Sequence, residues 1–528
     1  MSESHSSQEP QPQDSNSGES SLLKASGVTG SMTLVSRVLG LARDVVIARV
    51  FGVSDGVDAF FVANKIPNFM RRLFAEGAFN QAFVPVLSEY RSTKSLADVQ
   101  LLVNAVAGSL GGFLLIFTFV AVVAAPLIAV PIAYGFTDEP DKFALLVEML
   151  RITFPYLLLV SMTALCGSIL NSYARFAVPA VTPALLNISL IVCSFFLVPY
   201  MRVPELALAW AVLIGGVAQL LFQLPFLVRM RLMPVPRVGK YHEGVERIKQ
   251  LMVPALFGVS VSQINLLFDT LLATMLASGS VAWLYYSDRL MELPLGTFGI
   301  AIAIVVLPSL SRKHATSSLN DFAETLDWAF RLVVLIAIPS ALALIVIAEP
   351  LLIALFHNDK FTASDVARSA GSLKAYAIGL IAFMSIKIFA PGYYARQNTS
   401  TPVKIGIVAM ASNMAMNLLF FIGGLGHVGL ALATSLAAFL NAGLLLRGLM
   451  FDGVFKFQPG WGRFLLQVVL ANALMVYFLM NFSGDWQAWL SWTMAEKIVR
   501  LGILVIGAVF IYAAVLFAAG LRWRHIYR

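Results

Sequence analysis

From Leu22 onward the chain alternates long apolar stretches with short polar punctuation, and the stretches are longer than a strand or a buried core helix needs. The pattern predicts fourteen helices, over roughly 23–51, 57–90, 98–132, 143–173, 178–200, 205–230, 247–278, 281–311, 322–348, 365–395, 402–423, 428–450, 461–482 and 496–520. Each approaches or exceeds the roughly 20 residues that cross a bilayer. The first two are dotted with charges that a plain hydropathy window would reject. Ahead of them, Met1 to about Ser21 is rich in Ser, Gln, Glu and Pro without Lys or Arg, so disorder is expected there. This tail also lacks the basic and apolar parts of a cleaved leader.

Composition sharpens this picture. The 528 residues are 59% apolar and 12% charged, where soluble chains carry about 25% charge. A soluble enzyme, a nucleic-acid binder and a disordered chain are thereby excluded. The net charge of +8 falls on particular loops. The loops after even-numbered helices and the C-terminus carry nineteen Lys and Arg, among them Arg91, Arg175, Arg231, Arg312, Arg396 and Arg524. The loops after odd-numbered helices carry four, Lys142, Arg202, Lys360 and Lys497. Positive loops stay inside, so both termini are expected in the cytoplasm. Cys166 and Cys193 sit in apolar runs and are expected as packing residues.

The sequence repeats itself. Asp44-Val45-Val46-Ile47-Ala48 aligns with Asp269-Thr270-Leu271-Leu272-Ala273, 225 positions on. Phe83-Val84-Pro85 aligns with Val306-Leu307-Pro308, Tyr173-Ala174-Arg175 with Tyr394-Ala395-Arg396, and Leu208-Ala209 with Leu430-Ala431, at offsets of 221 to 223. Six helices per repeat is an even number, so both lobes enter the membrane in one direction. That predicts a pseudo-twofold axis along the membrane normal with a substrate site between the lobes, which is transporter architecture. The expected units are a tail (1–21), a first lobe (22–232), a second lobe (244–451) and two further helices with a cytoplasmic C-terminus (459–528).

Charge at membrane depth is costly, and its default reading is an interior, water-lined role. The first two helices hold Arg37, Arg43, Asp44, Arg49, Asp58, Lys65, Arg71, Arg72 and Glu76, and the eighth adds Asp288, Arg289 and Glu292. At 100° per residue, Arg37, Gly40, Leu41, Asp44 and Ala48 share one stripe, which suits a polar cavity wall. Cations outnumber acids seven to five across these helices, so pairing alone leaves positive charge over. Guanidinium forks suit phosphate oxygens. Internal salt bridges and snorkelling toward the interface are the competing explanation for each residue singly. The second helix is interrupted at Ile66-Pro67-Asn68 and Ala75-Glu76-Gly77-Ala78, and the eighth at Leu293-Pro294-Leu295-Gly296, as hinges or as static kinks. Asp269, Asn413, Asn417 and Thr434 form an all-oxygen set of the kind a monovalent cation accepts, against the ordinary reading of helix–helix hydrogen bonding. The six histidines show no metal spacing and there is no phosphate-binding glycine loop, so neither catalysis nor ATP hydrolysis is expected. No resident cofactor is expected; energy would come from the membrane potential or an ion gradient.

Several charge-bearing motifs carry a family resemblance. Ser36-Arg37-Val38-Leu39-Gly40-Leu41-Ala42-Arg43-Asp44, Asp58-Ala59-Phe60-Phe61-Val62-Ala63 and Phe74-Ala75-Glu76-Gly77-Ala78-Phe79 resemble the MurJ (MviN) family. So do Tyr285-Tyr286-Ser287-Asp288-Arg289-Leu290-Met291-Glu292, Ala390-Pro391-Gly392-Tyr393-Tyr394-Ala395-Arg396-Gln397 and Thr401-Pro402-Val403-Lys404. The resemblance runs from about Leu22 to the last helix. It implies an all-helical polytopic protein of the MOP exporter superfamily in the bacterial inner membrane. It further implies a flippase that carries lipid II, undecaprenyl-pyrophosphate-MurNAc-pentapeptide-GlcNAc, to the periplasmic face for the peptidoglycan synthesis machinery. By the same resemblance Arg37, Arg43, Asp44, Asp58, Arg72, Asp288, Arg289 and Glu292 match the family's cavity charges, and the last two helices match those lining a lipid-tail groove. A lipid-linked O-antigen flippase and a cation-coupled multidrug antiporter are the alternatives; an Arg-rich first lobe would repel cationic drugs. A membrane-embedded enzyme on polyprenyl phosphate would need a cluster of catalytic acids or a metal site, and none is visible.

Overall fold

The computed structural model describes residues 32, 35–72, 78–237, 242–315 and 319–521. Glu76, the 1–21 tail and Arg522, Arg524 and Arg528 lie outside these residues. Everything regular among the described residues is helical. We label the long helical units α1 (35–51), α2 (Asp55–Arg71, then Ala78–Thr93), α3 (Leu96–Val123), α4 (Pro140–Ser172), α5 (Ala177–Phe196), α6 (Leu206–Arg229) and α7 (Glu243–Thr274). There follow α8 (Ser280–Pro294, a π-helical turn Leu295–Gly299, then Ile300–Ala315), α9 (Leu319–Val346), α10 (Ala363–Tyr394), α11 (Ser400–Ile422), α12 (Gly426–Phe451), α13 (Trp461–Ser483) and α14 (Met494–Ala518). Ten of the described helices are long and apolar enough to cross a membrane; α1, α2, α7 and α8, which hold the charged runs and the helices aligned with them, fall outside that set.

Local chemistry fixes many of the ends. Ser95 with Asp98, Thr362 with Asp365 and Thr493 with Glu496 form reciprocal capping boxes at the starts of α3, α10 and α14. The disturbance expected at Pro294 takes a specific form. Proline removes one backbone donor, and the chain absorbs the defect as a single π-helical turn over Leu295–Gly299.

The repeat is visible in which helices touch. In the first half α5 packs on α6, α4 on α6, and α2 on the start of α4; in the second half α11 packs on α12, α10 on α12, and α8 on the start of α10. Lipid tails are as apolar as leucine, so small residues and hydrogen bonds hold such pairs. A Cβ added at Gly215 of α6 would stand 2.7 Å from Leu186 of α5, and Ser189 Oγ donates to the Ala211 carbonyl at 2.8 Å. In the second half Ser435 Oγ of α12 donates to the Ala375 carbonyl at 2.7 Å and Tyr393 Oη to the Leu445 carbonyl at 2.9 Å. Phe61 and Tyr285, 224 positions apart, stack across the boundary with ring centroids 3.8 Å apart. A residue touching its own repeat counterpart is what a pseudo-twofold axis between two lobes produces. Outward faces are bare apolar surface, as at Phe119, Leu466, Ile506 and Phe510. Cys166 and Cys193 are buried and unbridged.

Candidate functional site: a cationic cavity between the lobes

The stripe on α1 faces α8 and α5 across a cavity of about 410 Å³. Five of the eight charges singled out in the sequence line it: Arg37, Arg43 and Asp44 from α1, Arg289 and Glu292 from α8. Arg43 is held on several sides. Its Nε and Nη2 donate to Asp44 Oδ1 at 2.9 and 2.7 Å, Nη1 donates to Asn187 Oδ1 at 2.9 Å, and Nη2 also meets Tyr285 Oη at 3.0 Å. Tyr285 Oη in turn donates to Asp44 Oδ1 at 2.9 Å, and Asn187 Nδ2 to the Ser36 carbonyl at 3.1 Å. Asp44 is 2% exposed, so this pair is fixed rather than open to exchange.

Arg289 is placed differently. One Nη donates to Glu292 Oε2 at 2.7 Å, a pair one turn apart on α8, and the guanidinium lies 5.0 Å over the Tyr285 ring. Its side chain is 37% exposed, and its Nε is buried without a partner among the described residues. Arg37 reaches across to α8, where its guanidinium lies against Gly296; any Cβ there would collide with it. Among the described residues Arg37 makes no ion pair. The cavity therefore holds three guanidiniums against two carboxylates. Such a surface suits an anion with several oxygens.

The remaining charges are elsewhere. Arg72 Nη1 reaches Gln263 Oε1 of α7 at 3.4 Å, and Asp288 is half-buried within electrostatic reach of Glu292, Arg289, Lys65 and Arg72; neither lines the cavity. Asp58 departs furthest from the expectation of a cavity charge. It is 1% exposed at the other end of the lobe boundary, where Oδ2 accepts from Gly279 N at 2.7 Å and Oδ1 from Ala282 N at 2.9 Å. The α8 N-cap is Gly279, at φ +90°, which has no side chain to satisfy the first turn. Asp58 of α2 supplies that cap from the other lobe. Buried Lys142 completes the joint, donating to Asp55 Oδ1 at 2.7 Å and Ser278 Oγ at 3.2 Å and lying 3.6 Å from Asp58. Nearby, Lys360 Nζ donates to the Val50 carbonyl at 2.6 Å and Arg49 Nε to the Leu355 carbonyl at 3.1 Å. Contacts from one lobe to the other thus crowd the end that carries the loops after α1, α7 and α9.

Of the all-oxygen set, three members meet. Asn417 Nδ2 donates to Asp269 Oδ1 at 2.6 Å and to Asn413 Oδ1 at 2.9 Å, and Asn265 Nδ2 to Asp269 Oδ2 at 3.2 Å. Thr434 turns away from this cluster: its Oγ1 donates to the Leu430 carbonyl of its own helix at 3.0 Å. Asn187 and Tyr285, which hold Arg43, were not singled out by pattern. Tyr285 stands one turn before Arg289, a spacing that offered a signal; a lone Asn in an apolar helix offered little.

Residues 47–500 match the family described as lipid II flippase MurJ. A protein of Vibrio cholerae named probable lipid II flippase MurJ is 46% identical, across 96% of this chain and 97% of its own length. A Burkholderia cenocepacia protein named lipid II flippase MurJ is 40% identical, across 95% and 97%. Among solved structures, a lipid II flippase MurJ in an inward closed conformation superposes with TM-score 0.77 at 26% identity, covering 94% of this chain and 99% of that one. An inward-facing MATE multidrug transporter of the MOP superfamily superposes with TM-score 0.66 at 13% identity, which shows shared fold alone. Relatives this similar over nearly full length leave one assignment, and the chain belongs to the lipid II flippase MurJ family.

Proposed function

We propose that this protein carries lipid II across the inner membrane by alternating access, with the diphosphate held in the cavity between α1 and α8. The observation that carries the reading is the convergence of Arg37, Arg43 and Arg289, from two lobes, on one cavity with only two carboxylates. A diphosphate supplies the missing negative charge and matches the guanidinium geometry. The joint built on Asp58 and Lys142 closes one end, and its release together with closure at the cavity end would give the second state of the cycle. In purified protein reconstituted with lipid II, transfer to the opposite leaflet should require this protein and an ion gradient or membrane potential. If ATP alone drove net transfer with no gradient, the coupling part of the proposal would fail; if no transfer occurred under any gradient, the transport reading would fail.

Moving one charge through 100 mV supplies about 2.3 kcal/mol, enough to bias such a cycle. A monovalent cation at Asp269 is the second source we propose. Two acceptors support it: Asn417 Oδ1 and Asn265 Oδ1 are buried beside the carboxylate without partners among the described residues. An ion there would share Asp269 with Lys65, whose Nζ donates to Thr270 Oγ1 at 2.9 Å. Asp269, Asn413 and Asn417 would hold the ion.

The topology we propose is fourteen spans with both ends cytoplasmic, the Asp58 joint at the periplasmic end. A phosphatase reporter fused after Arg528 should stay inactive and a cytoplasmic reporter there should be active. The opposite pair of signals would reverse the orientation.

A further inference from the structure

The first lobe contains a second, open cavity, of about 420 Å³, lined by α2, α4, α5 and α6. It adjoins the cationic cavity, since Pro183 and Asn187 line both. Its chemistry is different. The charged group in its lining is Arg71, and the other polar side chains are amides, hydroxyls and one phenol. Two glutamines one turn apart on α6 form its deep wall. Gln219 Nε2 donates to the Thr182 carbonyl at 3.2 Å while its Oε1 accepts from Tyr156 Oη at 3.5 Å, and Gln223 Nε2 donates to Thr182 Oγ1 at 2.9 Å. Gln223 is 2% exposed, yet its Oε1 has no partner among the described residues. An amide carbonyl buried in a membrane protein without a partner is costly, so its natural complement is a hydroxyl or N–H from a ligand.

The repeat sharpens the contrast. At an offset of 222, the one that aligns Leu208 with Leu430, Gln219 corresponds to Asn441 in the second lobe. Asn441 also lines a cavity, of about 380 Å³, but that one is shared with Asn265 and Asn413 of the Asp269 cluster. One duplicated hollow thus shares its asparagines with the Asp269 group, while the other is an amide pocket adjoining the cavity of three arginines.

We propose that the first-lobe cavity binds the sugar attached directly to the diphosphate, a neutral, hydroxyl- and acetamide-bearing ring, with Gln219 and Gln223 as the residues that recognise it. This deepens the proposed function and rests on it. Carboxamides both donate and accept, so a pair one turn apart satisfies vicinal hydroxyl and acetamide groups without a net charge. A cavity of this size lies within the usual range for small-ligand sites. Adjacency to Asn187 and Arg43 sets the sugar one linkage from the anion.

The test uses the full chain in nanodiscs with two probes, undecaprenyl diphosphate and the same lipid carrying one N-acetylated sugar. Wild type should bind the sugar-bearing lipid about tenfold more tightly. Gln223→Met and Gln219→Met should each bring that ratio close to one while affinity for the bare lipid diphosphate changes by less than about twofold. If either Met variant fails to insert, Gln223→Asn and Gln219→Asn, which retract the amide by one methylene, should give the same loss. A ratio unchanged in the variants, or a parallel loss for both lipids, overturns the proposal. Wild type that binds both lipids equally also overturns it and leaves the transport reading standing, whereas wild type that binds neither defeats the transport reading itself.

Discussion

Arg289→Ala should abolish lipid II transfer while the protein still inserts and folds. The side chain is partly open to the cavity, so its removal leaves no void in a packed core. A hydrogen bond to a charged group contributes about 1.5–3 kcal/mol, which places the loss of affinity for the diphosphate between about tenfold and 150-fold. Arg289→Lys keeps the charge without the fork and should retain partial function. The competing account makes Arg289 a mere counter-charge to Glu292, 2.7 Å away. On that account Arg289→Ala with Glu292→Gln would restore transfer, because removing both members leaves no unpaired charge. We expect no rescue, nor any from pairing Arg289→Ala with Asp288→Asn. Complementation of a depleted strain, with membrane abundance measured alongside, decides between the accounts.

Asp58→Ala should act on the conformational equilibrium rather than on the anion. It strips the first turn of α8 of its cap and leaves Lys142 with Asp55 at 2.7 Å and Glu139 at 4.0 Å as its remaining close acids. Loss of a cap costs about 0.5–2 kcal/mol, with a further cost for two buried N–H groups left unpaired. A shift of that size moves a two-state population by roughly twofold to thirtyfold. A cysteine at Ser280, which is 1% exposed, should then react with a membrane-impermeant thiol reagent from the periplasmic side in the Asp58→Ala background and stay protected otherwise. Equal protection in both backgrounds would mean that the joint does not control access.

Much of this was legible in the chain. Apolar length placed the helices, and charge in apolar surroundings marked α1 and α8, because only an interior cavity makes such charge tolerable. Four of the five stripe positions on α1, Arg37, Gly40, Leu41 and Asp44, line the cavity because helical periodicity is local and gives them one face whatever the tertiary fold; Ala48, the fifth, is buried in the core. Asp58 was not legible as a cap, since its partners Gly279 and Ala282 are more than 200 positions away and contribute only backbone. Thr434 was placed with Asp269 by residue type, but a threonine in a helix has its own carbonyl four residues back as the nearest acceptor, and it took that one. Gln219 and Gln223 carry little signal in the sequence, because uncharged amides in apolar helices usually join one helix to the next.

The lobe joint is lopsided in what substitution can reach. Its cap is a single first-lobe carboxylate, Asp58, set against the second-lobe peptide N–H groups of Gly279 and Ala282, while Lys142 braces that carboxylate and Asp55. Apart from proline, no replacement at 279 or 282 deletes those donors, although any side chain at 279 would also strain a φ of +90°. Inherited variation would therefore register the hinge on one side only. Drift at the rim of α8 could change side chains and leave the cap's two donors intact, while one base change at codon 58 could remove their acceptor.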